Sequence, residues 1–156
     1  MPEKNTGQPL LHFMMNLPAN PAQRLIVGKL FYRDLDGQVV EYRASSSYPG
    51  AQIYGTYHLL HHPIPPGEYT VDTAPIDLSK TRGVRGPFFR IRPFACLKPY
   101  EKRGDFGIHW DADAEGSNGC LVFRKKEQWA NFQYEMKSLH LLGISHVKLI
   151  VEYAKK

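Results

Sequence analysis

Only one stretch of this chain repeats apolar residues at helical spacing, and that restricts it to a β-rich fold. Trp129, Phe132, Met136 and Leu139 recur at three- and four-residue steps within residues 125–142 and form a single stripe. Gly143 follows as a natural terminator. Elsewhere the apolar residues come in short runs rich in β-branched and aromatic side chains, separated by Pro and Gly. Residues 24–33 (RLIVGKLFYR) and 38–44 (QVVEYRA) flank a DLDG turn and read as a hairpin. Residues 45–55 are loop-like. The PIPPG at 63–67 is a stiff turn, because Pro fixes φ and Gly permits positive φ, and it feeds an alternating strand at 68–73. Further strands are expected at 88–94, 106–109, 119–123 and 144–153. Residues 1–23, rich in Pro and Asn, read as a loosely held lead-in, and residues 24–156 as one domain. A chain of 156 residues is long enough for one sizeable core. The expected fold is mainly β, with one substantial helix near the C-terminus.

The charge is concentrated. Between Lys80 and Arg103 stand eight basic residues and one acid, Glu101, whereas the rest of the chain is slightly acidic. This segment suits an anionic partner. It is interleaved with Phe88, Phe89, Phe94 and Tyr100, as in some single-strand binders. However, FFRIRPF alternates, which puts Arg90 and Arg92 on one strand face, and no nucleic-acid motif is present. The expectation is therefore no nucleic-acid partner. No apolar run reaches membrane-spanning length. The first residues lack a basic start, a long apolar middle and a small-residue cleavage site, so the expectation is synthesis in the cytoplasm without a signal peptide.

The chemistry concentrates in residues 104–124, GDFGIHWDADAEGSNGCLVFR. A cysteine nucleophile needs a base, small neighbours that let a carbonyl approach, and N–H groups aimed at the developing oxyanion. His109 supplies the first. Ser117, Asn118 and Gly119 precede Cys120 and supply the others, with the N–H groups of Gly119 and Cys120 as the expected oxyanion donors. Cys96, in FACLKP, has no such turn and reads as a core residue. Cys96 ahead of His109 has the residue order of papain-like hydrolases, but its flanks do not fit. His58, His61 and His62 have spacings that one helical face could use for zinc, but no matching acid or thiol stands nearby and Pro63 follows at once. The expectation is no metal and no cofactor.

Ile108-His109, followed by Ser117-Asn118-Gly119-Cys120-Leu121, resembles the signature of the L,D-transpeptidase (YkuD-like) catalytic domain. The upstream Pro63-Ile64-Pro65-Pro66-Gly67-Glu68-Tyr69 matches a second landmark of that family in the expected order. The short His-to-Cys spacing and the lead from Arg103 to His109 are most similar to compact variants among type VI secretion antibacterial effectors and phage-type proteins. Departures are Trp110, where many members have Gly, Asn118, where His or a small residue is usual, and Arg124, four residues past the cysteine rather than nearer.

The resemblance implies a β-sandwich or barrel-like fold. It also implies a peptidoglycan-modifying activity in which Cys120 attacks a carbonyl of a stem peptide and His109 moves the proton. Ser117 and Gly119 would shape the oxyanion turn. Arg103, Trp110 and Asn118 would contact substrate, with Arg103 holding a carboxylate. In that family a backbone carbonyl commonly orients the histidine; here Asp111 and Ser117 stand as alternatives for orienting His109. The implied partners are peptidoglycan stem peptides and, for an effector, a cognate immunity protein. The implied site of action is the periplasm of a target bacterium. The rival reading is a non-catalytic cell-wall or phage-particle binding module with the same fold.

Overall fold

A computed structural model describes residues 7–156. Its strands are β1 (Leu10–Leu17), β2 (Gly28–Arg33), β3 (Val39–Ser46), β4 (Gly67–Asp72), β5 (Ile76–Leu78), β6 (Gly86–Arg92), β7 (Gly107–Trp110), β8 (Leu121–Phe123) and β9 (His146–Lys155). The single helix α1 (Lys126–Leu141) lies between β8 and β9. The sheet order is β4-β9-β1-β2-β3-β8-β7-β6-β5, and a further pairing of β4 with β6 closes it into a barrel. Among the described residues no helix is long and apolar enough to cross a membrane.

The first 23 residues contain more than a lead-in. Leu11, Phe13, Met15 and Leu17 of β1 alternate inward, all nearly inaccessible. β1 sits between β2, antiparallel, and β9, parallel. The period-two pattern overrides the Pro- and Asn-rich flanks because one face of the segment is wholly apolar. Residues 1–6 of the expected lead-in lie outside the described residues. Two smaller differences concern β5, which local composition did not signal, and β3, which runs through Ser45 and Ser46 into what reads as loop. The remaining expected strands and the helix lie within a few residues of their observed limits.

The helix owes its place to its stripe. Trp129, Phe132, Met136 and Leu139 are its buried residues. Phe132 packs 5.0 Å from Phe123 and 5.2 Å from Phe89, centroid to centroid, and Trp129 lies 5.3 Å from Phe123. Such edge and tilted ring pairs add stability beyond the area they bury. Tyr42 Oη donates to Asn131 Oδ1 at 2.6 Å, and the Arg43 N–H donates to Gln128 Oε1 at 2.7 Å, which fixes the helix against β3.

Strands β7 and β8 position His109 and Cys120. They run parallel, with Ile108 opposite Leu121 and His109 opposite Val122. Parallel neighbours need a crossover connection, and here residues 111–120 provide it without a helix. That loop delivers Cys120 to the residue before β8, where it lines the same groove as His109.

Candidate active site

His109 and Cys120 line one groove of about 240 Å³. Phe88, Val84, Asn118 and the 112–117 loop complete its walls. His109 is nearly inaccessible, and Phe88 stacks on its ring at 5.7 Å and 24°. The Nδ1 of His109 lies 2.7 Å from the carbonyl oxygen of Trp110. A carbonyl only accepts, so Nδ1 carries the hydrogen and Nε2 keeps the lone pair. The main chain of Trp110 therefore orients the imidazole, and neither Asp111 nor Ser117 does so.

Burial disfavours charge on both the thiol and the imidazole. Burial pushes the Cys120 thiol up to about 11, opposed by the Gly107 N–H and by the Arg103 guanidinium. Burial pulls His109 below its usual range, opposed by the Trp110 carbonyl. Desolvation disfavours whichever form carries charge, which moves an acid up and a base down. A preformed thiolate–imidazolium pair is thus disfavoured, and the neutral imidazole is free to accept a proton.

The turn before Cys120 is stapled by hydroxyls. Ser117 Oγ donates to the Cys120 carbonyl at 2.7 Å and accepts the N–H of Gly119 and of Ser47, each at 3.2 Å. The expected use of the Gly119 N–H as an oxyanion donor is corrected accordingly: it points at Ser117 Oγ. Ser46 Oγ donates to the Gly119 carbonyl at 2.6 Å and accepts from the Ile64 N–H at 2.9 Å. Ser47 Oγ donates to the His61 carbonyl at 2.6 Å. Ser46 and Ser47 are fully buried and were not singled out from the sequence, where the serine run reads as loop.

Gly119 has φ +115, and a Cβ there would lie 2.6 Å from Phe106 Cε1, 2.7 Å from Arg103 Nη2 and 3.0 Å from the His62 carbonyl. Glycine is required by both conformation and space. On the other side of the loop, Asp111 Oδ2 accepts from the Gly116 N–H at 3.0 Å and from Arg124 Nη1 at 2.7 Å. Burial raises the Asp111 carboxyl, while Gly116 and Arg124 oppose the rise. Arg124 therefore ties the loop closed.

Two expected substrate contacts change role. Arg103 is 3% exposed. Its Nη1 donates to the carbonyls of Tyr57 and Pro63, and its Nη2 to that of His62. Its guanidinium lies behind the turn and cannot hold a substrate carboxylate in the groove. Trp110 packs its indole against the core, so its contribution to the site is its carbonyl. Asn118 is exposed and lines the groove.

The basic segment is partly neutralised within the fold. Arg92 pairs with Asp72 at 2.9 Å and Arg85 with Asp113 at 3.2 Å. Phe88, Arg90 and Arg92 share the outer face of β6, while Phe89 and Ile91 point to the core. Cys96 is a buried free thiol beside Tyr69 Oη. His58 and His61 are exposed, and His62 Nδ1 meets Thr56 Oγ1 at 2.8 Å. Among the described residues no group of three or more His, Cys, Asp or Glu is arranged to hold a metal ion. No family model matches this chain, and comparisons with curated proteins and with solved structures likewise return no match.

Proposed function

We propose that this protein is a cysteine acyl-transferase or peptidase of the L,D-transpeptidase type, acting on peptidoglycan stem peptides. The observation that carries this reading is one groove lined by Cys120 and by a His109 whose Nδ1–H is committed to the Trp110 carbonyl. His109 Nε2 accepts the thiol proton as Cys120 Sγ attacks the carbonyl of the stem peptide's diamino acid. The tetrahedral adduct collapses, the C–N bond breaks, and His109 returns the proton to the departing D-amino acid. The thioester is then resolved by water, by a free D-amino acid or by an amine of another stem, and the sulfur leaves as the thiol. The proposed setting is the periplasm of a target bacterium, with a cognate immunity protein as partner.

The test incubates the protein and a Cys120→Ala variant with tetrapeptide muropeptides and reads product masses. Loss of a D-Ala, or mass exchange with an added D-amino acid, that disappears in the variant is the expected result. Unchanged masses with a folded wild type overturn the reading. The neutral resting thiol and the committed Gly119 N–H favour a second reading, a binding module that keeps the fold. That reading expects equal retention of wild type and Cys120→Ala on insoluble cell wall, without turnover.

A further inference from the structure

Arg103 is one of two buried cations among the described residues, and the more deeply buried. No carboxylate among the described residues pairs with it within 4.0 Å; its partners are the three carbonyls of Tyr57, His62 and Pro63. A buried charge without an opposite charge is costly, and carbonyl dipoles offset only part of the cost. Its surroundings indicate what that cost secures. Nη2 lies 2.7 Å from where a Cβ of Gly119 would stand, so only the missing side chain lets the guanidinium approach the residue before Cys120. Phe106 flanks the guanidinium, with its ring centroid 5.1 Å from Cζ. From this position Arg103 cannot enter the groove, but its charge acts on Cys120 through packed protein rather than water, where electrostatic effects are larger.

We propose that Arg103 is a positioning residue: it holds the 57–63 segment against the nucleophile's turn and supplies a fixed positive charge that favours negative charge on Cys120 Sγ. This proposal rests on reading Cys120 as the nucleophile. Among the charged groups near the thiol, Arg103 opposes the effect of burial and Asp105 reinforces it. His109, Arg82 and Asp113 face the same groove. The same charge would favour the developing oxyanion of a tetrahedral adduct on Cys120.

The experiment measures alkylation of Cys120 by iodoacetamide, resolved by peptide mass, from pH 6.5 to 10, in the whole chain and in Arg103→Lys and Arg103→Gln variants shown to be folded by circular dichroism. The reagent is uncharged, so its approach is not steered. A cation close to a thiol shifts its titration by about one unit or more. Arg103→Gln is therefore expected to react about three- to fourfold more slowly at pH 8, with its profile displaced upward, while Arg103→Lys stays close to wild type. A folded Gln variant with an unmoved profile overturns the proposal. If Gln does not fold, the folded Lys variant decides: a loss of about three- to fourfold or more there, with the charge kept, overturns the role of charge. Alkylation needs no muropeptide turnover, so failure of this proposal is distinct from failure of the proposed activity.

Discussion

Replacing Gly119 by Ala should be among the most damaging single-methyl changes in the protein, and a built-in control separates its two causes. The first cause is conformational: φ is +115, where an L side chain is strained, at a cost of about 1–3 kcal/mol. The second is steric. The new Cβ would meet Phe106 Cε1 at 2.6 Å, Arg103 Nη2 at 2.7 Å and the His62 carbonyl at 3.0 Å. None of the three yields easily: Phe106 is core, Arg103 is held by three carbonyls and His62 contributes main chain. Overpacking of this kind costs about 1–3 kcal/mol. The total is about 2–6 kcal/mol, a large part of the stability of a single domain. Gly143→Ala is the control, because Gly143 has φ +85 but nothing within 4 Å of its Cβ position. It should lose only the conformational part, about 1–3 kcal/mol. Urea unfolding of the three proteins, with unchanged slopes, gives the difference directly. Equal losses for the two variants, or a Gly119→Ala protein as stable as wild type, would refute the argument that the turn is packed against Arg103 and Phe106.

Truncating Phe132 to Ala removes the ring shared by Phe89, Phe123 and Tyr42 and should cost about 3–5 kcal/mol in the same unfolding measurement, whereas Tyr134→Ala, on the exposed side of the helix, should cost little. Ser46→Ala leaves the Ile64 N–H and the Gly119 carbonyl without their hydroxyl partner, about 1–3 kcal/mol for each, and should speed hydrogen exchange at Ile64. His109, held neutral by burial, takes up its proton in the unfolded chain first, so stability should fall as pH drops below about 6.5. Asp111, raised by burial, acts in the opposite sense at lower pH. Its effect is common to wild type and His109→Gln, so the difference between their melting temperatures isolates the histidine. Parallel curves between pH 7 and 5 would contradict its burial.

Much of what is legible in the sequence is local. The stripe of Trp129, Phe132, Met136 and Leu139 is a pattern within one element, and the same holds for the strand through Ile108 and for the turn at Ser117–Cys120. What it hid depends on partners far along the chain. Ser46 reads as loop because a hydroxyl has no local signature when its acceptor, the Gly119 carbonyl, lies 73 residues away. Arg103 reads as an exposed cation seeking an anion, since nothing near it announces the carbonyls of Tyr57 and His62, 46 and 41 residues upstream. Strand β1 is an intermediate case. Its alternation is plain at Leu11, Phe13, Met15 and Leu17, but the surrounding Pro and Asn give the segment the composition of a loop.

The parallel pairing of β1 with β9 sets an order of events during synthesis. β9 lies between β4 and β1 and is made after both, so both neighbours expose unsatisfied edges until it arrives. The loop carrying Cys120 is translated well before that, yet the barrel that supports it cannot close. A ribosome-bound chain that stops before β9 should therefore be protease-sensitive and should present Cys120 without a finished groove. The environment of Cys120 is then completed only once β9 has joined the barrel.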